Sequence, residues 1–83
     1  MRGERLTAAQ REWNAERILR CAVRFNGTFM VERYSDRDAS KRRALRKARN
    51  AGTVTAKRHG SSYYLVTPTE AGRRALEEAD HGR

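Results

Sequence analysis

The chain has a single cysteine, Cys21. One thiol excludes an intramolecular disulfide and any zinc site built from several cysteines. No apolar run comes near the roughly 20 residues of a membrane-spanning helix. No signal-peptide pattern opens the sequence either. There is no glycine-rich phosphate loop, no pairing of a nucleophile with a base, and no cluster of side chains at metal-ligand spacing. The acids Glu12, Glu16, Glu77 and Glu78 fall on helix faces among basic residues, as solvated charge pairs do. Catalysis, a metal, a cofactor and a membrane partner are therefore not expected. A cytoplasmic, nucleoid-associated location is. Cys21 itself lies on an apolar helical stripe, which suits a small core residue.

Acids are scarcest where bases are densest. The 83 residues carry a net charge of +9, and its distribution matters more than its size. Over 1–36 there are seven basic and five acidic residues. Over 37–58 there are nine basic residues against the single acid Asp38. Over 59–83 there are three basic and four acidic. Solubility does not require charges of one sign on one segment. A concentrated basic block points to a polyanion, nucleic acid before an anionic membrane surface.

The length allows one domain, 1–83, with an ordered part expected over 7–79. Hydrophobic residues make up 37% of the chain and charged residues 35%. The core must come from a few short amphipathic elements, which leaves no material for a deep substrate cavity.

The spacing predicts a first helix over 7–25. Thr7 and Gln10 stand at capping-box spacing, and Asn26-Gly27 supplies a stop. Ala8, Ala15, Ile18, Leu19, Ala22 and Val23 share one face, with Phe25 at its edge. Trp13, Arg17, Arg20 and Arg24 share the opposite one. Thr28-Phe29-Met30-Val31 favours a strand, yet Met30 and Tyr34 are four apart as on a helix. A short strand and a stunted helix both remain open for this stretch.

A second clear helix is predicted over 40–51, with Ser35/Asp38 or Ser40 as cap and Gly52 as stop. Ala44, Leu45, Ala48 and Ala51 form its narrow apolar stripe. Arg42, Arg43, Arg46, Lys47, Arg49 and Asn50 cover the rest. A hairpin over 53–67 follows. It turns at His59-Gly60-Ser61, where Gly60 can take a positive φ, and carries Lys57, Arg58 and His59 to its tip. Tyr63 and Tyr64 alternate, so one faces the core and the other faces out. The last helix is expected from Thr67, with Pro68 in its first turn and Glu70 completing a capping box. Ala71, Ala75, Leu76 and Ala79 form its buried stripe, and a frayed tail is expected after Glu78. His81 lies in that tail and has no role.

The order is helix, open stretch, basic helix, hairpin, helix, an α+β class. With SKRRALRKARNAG (40–52), the hairpin and LVTPTEAGRRAL (65–76), the chain resembles the winged helix-turn-helix DNA-binding domains. The last segment is similar to the junction between wing and helix in regulators of the MarR and PadR families. About half of the chain carries the resemblance. It departs from the pattern at Glu32 and Arg33, where a supporting second helix has apolar residues. That helix is expected to be short, or replaced by a strand.

The resemblance implies a transcriptional regulator that binds double-stranded DNA. The basic helix enters the major groove with its N-terminal half nearest the bases. Arg42, Arg43, Arg46 and Lys47 then face the duplex, with Lys41 beside them. Asn50 contacts adenine or phosphate, and Ser40 with the free N–H groups beside it receives a phosphate. Lys57, Arg58 and His59 grip the backbone or the minor groove. One such helix binds weakly, so a homodimer or tandem sites are expected. Two other partners fit the same sequence. One is structured RNA, although no aromatic RNA-stacking motif is present. The other is a host protein, since small winged-helix proteins of phages and mobile elements include inhibitors. Its docking patch would be Trp13, Arg17, Arg20 and Arg24.

Overall fold

The computed structural model describes residues 12–81. Among the described residues the first regular element begins after Asn14. The Asn14 Oδ1 accepts the Arg17 backbone N–H at 2.8 Å and so caps α1, Ala15–Arg24. Glu16 in the first turn and Arg24 in the last suit the helix dipole. A helix running unbroken over 7–25 is thus corrected, because Glu12, Trp13 and Asn14 are not helical. The Thr7/Gln10 box and Ala8 lie outside the described residues. Phe25 C-caps α1 and is 47% exposed, and Gly27 reverses the chain at φ +86°.

The open stretch after α1 forms a strand and then a turn. β1 is Met30–Glu32, and a single 3-10 turn follows at Asp36–Asp38. Ser35 caps that turn by accepting the Arg37 N–H. α2 then runs over Ala39–Asn50. Two expected caps are corrected here. Asp38 holds the N-cap position, but its carboxylate accepts the Glu32 N–H instead, and Ser40 lies inside the first turn. Ala44, Leu45 and Ala48 are buried, whereas Ala51 is exposed. Gly52 takes φ +79° and ends the helix, and the Thr53 N–H returns to the Ala48 carbonyl.

β2, Val54–His59, and β3, Tyr63–Pro68, form the hairpin, with Gly60 at φ +66° in the turn. β3 lies between β1 and β2 in an antiparallel sheet. In this register Val31 faces Tyr64, Ala56 faces Val66 and Val54 faces Pro68. These residues look inward, and the alternate positions Met30, Leu65, Tyr63 and Lys57 look outward. The core is Ile18, Leu19 and Ala22 of α1, Ala44, Leu45 and Ala48 of α2, and Val31, Val54 and Val66 of the sheet. α1 and the sheet thus enclose one side of α2 and leave the other to solvent.

α3 runs over Glu70–His81, and its cap is also corrected. Pro68 is the last residue of β3, and Thr67 shares a hydroxyl contact of 2.7 Å with Thr55 across the ladder. Thr69 is the cap. Its hydroxyl accepts the Gly72 N–H and donates to the Gly52 carbonyl. Gly72 is buried, and a Cβ there would overlap the Thr53 carbonyl and sit 2.9 Å from Leu19 Cδ1. Only glycine lets α3 come this close. Leu76 is half-buried, but Ala71, Ala75 and Ala79 are exposed, so the expected buried stripe is shifted toward Gly72. The tail stays helical to His81. Arg20 ties α1 to Asp80, and Arg73 donates to Asn26 Oδ1. The molecule is a small α+β fold of three helices and a three-stranded antiparallel sheet among the described residues.

Candidate nucleic-acid interface

From Ala39 to Thr69 the sequence has no acidic residue. The solvent side of α2 and the tip of the hairpin both fall within that stretch. Arg43, Arg46, Lys47, Arg49 and Asn50 are exposed on α2, and among the described residues none of these four cations has an ion-pair partner. Like charges three and four residues apart on one helix repel one another. The helix carries them because Ala44, Leu45 and Ala48 hold its other side in the core.

Two residues expected to contact a ligand are engaged within the fold, and a third is half-buried. Arg42 is turned inward. Its Nη1 donates to the Glu32 carbonyl at 3.0 Å and to the Ser35 carbonyl at 2.7 Å. It thus fastens the end of β1 and the 3-10 turn to α2, where a second helix was one of the expectations. Lys41 is half-buried, 3.6 Å from Asp38 and 4.8 Å above the Trp13 ring. Ser40 is half-buried within the helix and does not stand at its end.

The hairpin separates its basic residues by face. Arg58 is directly opposite Tyr64 on the inward side, while Lys57 and His59 pair with Leu65 and Tyr63 on the outward side. All three are exposed. Tyr64 is half-buried against the core and Tyr63 is 40% exposed. Arg33 lies 5.6 Å above Tyr64 and 5.0 Å above Tyr34, and donates to the Ser61 carbonyl, which fixes the turn.

Between α2 and β3 lies a crevice of about 280 Å³, lined by Ala39, Arg42, Arg43, Leu45, Arg46, Arg49 and Tyr64. Sequence reasoning counted Arg49 on the polar face but gave it no role, and it left Tyr64 on one side or the other of a strand. The available signal was the spacing of Arg42, Arg46 and Arg49, four and then three residues apart, which aligns them on one flank of a helix.

The residues of the expected protein-docking patch diverge. Trp13 is half-buried, stacked on Phe29 at 6.3 Å between centroids, with Arg17 4.0 Å above its ring. Arg20 faces α3, and its hydrogen bonds to Asp80 and then Glu16 raise its pKa above the ordinary value. Arg24 lies 5.5 Å above the Phe25 ring. Cys21 is half-buried and free. Among the described residues there is no group of His, Cys, Asp and Glu that could hold a metal ion. No helix among them is long and apolar enough to cross a membrane. No protein-family model, curated protein or solved structure gives a significant match to the chain.

Proposed function

We propose that this protein is a winged-helix DNA-binding protein without enzymatic activity, and a regulator or organiser of transcription. One observation carries the reading. The exposed cations of α2 and the inward-facing Arg58 of the hairpin share one acid-free stretch, with no acid among the described residues paired to Arg43, Arg46, Lys47 or Arg49. A row of unpaired, mutually repelling cations gains most from an extended polyanion, and a straight helix fits the roughly 12 Å major groove of a duplex.

In this reading α2 enters the major groove through Arg43, Arg46, Lys47 and Asn50. Arg43 is the candidate for bidentate contact with guanine. Arg42 supports the helix from behind. The hairpin is the wing, with Arg58 on the side of α2 and Lys57 and His59 reaching backbone on its other face. The element order supports this assignment, and the 3-10 turn with its Arg42 bracket takes the place of the second helix. One helix of this kind suits a homodimer or adjacent sites, since a single recognition helix supplies few base contacts. The protein-inhibitor reading has less support, because Trp13 and Arg20 are occupied within the fold.

The test is anisotropy of labelled duplex DNA, duplex RNA and single strands over a salt series. Duplex DNA is expected to bind best, with affinity falling about 10³–10⁵-fold between 50 and 200 mM salt if six to ten phosphates are neutralised. Absence of binding to any nucleic acid at low salt would remove the reading.

A further inference from the structure

We infer that the crevice between α2 and β3 is a discrete site for one phosphate group, held by Arg46 and Arg49 against a wall fixed by Arg42 and Tyr64. The inference rests on the DNA-binding reading only for the source of that phosphate, which is a backbone phosphodiester in a complex and a free phosphate otherwise.

Five features of the crevice point to an oxyanion. Arg42, Arg46 and Arg49 lie along one flank of α2 and all line it. No carboxylate lines it, so the charge is not neutralised from within. Arg42 cannot swing away, because Nη1 is held by two carbonyls, while its Nε and Nη2 have no hydrogen-bond partner among the described residues. A guanidinium fixed through one nitrogen keeps its remaining donors available to an oxyanion. Tyr64, half-buried against the core with Arg33 over its ring, closes the opposite side. The volume of about 280 Å³ is at the lower limit of pockets for drug-sized ligands, so it has room for a hydrated phosphate group and not for a whole cofactor.

The site divides the labour of α2. Lys47 and Asn50 stand on the outer ridge and Arg43 at the rim of the crevice, available to base edges. Arg46 and Arg49 turn toward the hairpin and fix the register of the helix on the duplex, a role that carries no sequence information.

Nuclear magnetic resonance of the full chain, titrated with inorganic phosphate against chloride at matched ionic strength, tests the site directly. The expected result is saturable shifts at the Arg42, Arg46 and Arg49 Nε–H groups and the Tyr64 amide, roughly tenfold weaker in Arg49→Gln. Arg49 is exposed and its guanidinium has no hydrogen-bond or ion-pair partner among the described residues, so this variant is expected to fold. Non-saturating shifts spread equally over Lys47 and Lys57, which do not line the crevice, would overturn the site. In duplex binding, Arg49→Gln is expected to weaken every sequence by a similar factor and to reduce the log–log salt slope by about 0.9. Duplex binding with an unchanged slope in Arg49→Gln would overturn the inference and leave the DNA reading intact. Saturable phosphate binding without duplex binding would support the site and remove the DNA reading.

Discussion

The tetrapeptide Arg-Arg-Ala-Leu occurs twice, at 42–45 in α2 and at 73–76 in α3, and its two copies have different fates. Both helices are 12 residues long. In α2, Ala44 and Leu45 are buried, Arg42 is bound to two backbone carbonyls, and Arg43 stands free in solvent. In α3, Ala75 is exposed and Leu76 half-buried, Arg73 donates to Asn26, and Arg74 pairs with Glu70 at 2.9 Å. The tetrapeptide has the same propensity in both places. The difference comes from its surroundings. α2 is enclosed on one side by α1 and the sheet and has no acid of its own, whereas α3 touches the body at Gly72 and Leu76 and carries four acids against two arginines. Arg43 faces solvent without a counter-charge, whereas Arg74 is neutralised within its own helix.

Truncating the two leucines separates the copies most widely. Leu45→Ala is expected to cost about 2–5 kcal/mol in chemical denaturation, the range for opening a cavity in a packed core. Leu76→Ala is expected to cost about 1 kcal/mol, because the site is already half in water. Equal costs would mean that α3 is as deeply seated as α2.

Arg42→Ala is expected to destabilise the fold by about 1.5–3 kcal/mol, since it strips a charged donor from the Glu32 and Ser35 carbonyls. Arg42→Lys recovers part of this, because one ammonium cannot reproduce the rigid fork. Loss of duplex affinity with no loss of stability would show that Arg42 is not a bracket. At the next position the comparison becomes functional. Arg43→Ala is expected to weaken a preferred duplex by about 1–3 kcal/mol and to relax specificity at one base pair. Arg74→Ala is expected to leave binding unchanged. The smallest effect belongs to Glu70→Gln, where loss of an exposed i,i+4 pair is expected to cost about 0.3 kcal/mol by thermal unfolding.

Much of the frame was legible in the sequence. The basic helix, the hairpin and the final helix followed from spacing and from Gly52 and Gly60, whose positive φ values are what those turns need. The misreadings have physical causes. A Thr-x-x-Glu box at Thr67 competes with pairing in β3, and the ladder contact to Thr55 wins, so Thr69 becomes the cap. The alanine stripe of α3 reads as buried on a helical wheel, but a wheel does not say how close the neighbour comes. The approach is set by the missing side chain at Gly72. The stretch around Val31 was undecidable locally, because its strand exists only through pairing with Tyr64, 33 residues further on.

The site was legible as a charge and not as an arrangement. The exposed group Arg43, Arg46, Lys47 and Asn50 stands where the spacing placed it. Arg42 and Lys41 were indistinguishable from the rest by type. They differ because one reaches carbonyls of β1 and the turn, and the other reaches Asp38 and Trp13. Trp13 reads as an outward helical residue only if the helix includes it, and α1 begins at Ala15, two residues too late for that.

The most direct test of the central claim neutralises the two helices in turn and measures binding to one duplex. The pair is Arg43→Gln/Arg46→Gln/Lys47→Gln in α2 and Arg73→Gln/Arg74→Gln in α3, by anisotropy at 50 mM salt with folding checked by circular dichroism. The α2 variant is expected to lose binding by at least about 100-fold and the α3 variant to bind as the parent does. Equal loss in both, or none in the α2 variant, would contradict a duplex-binding role for α2.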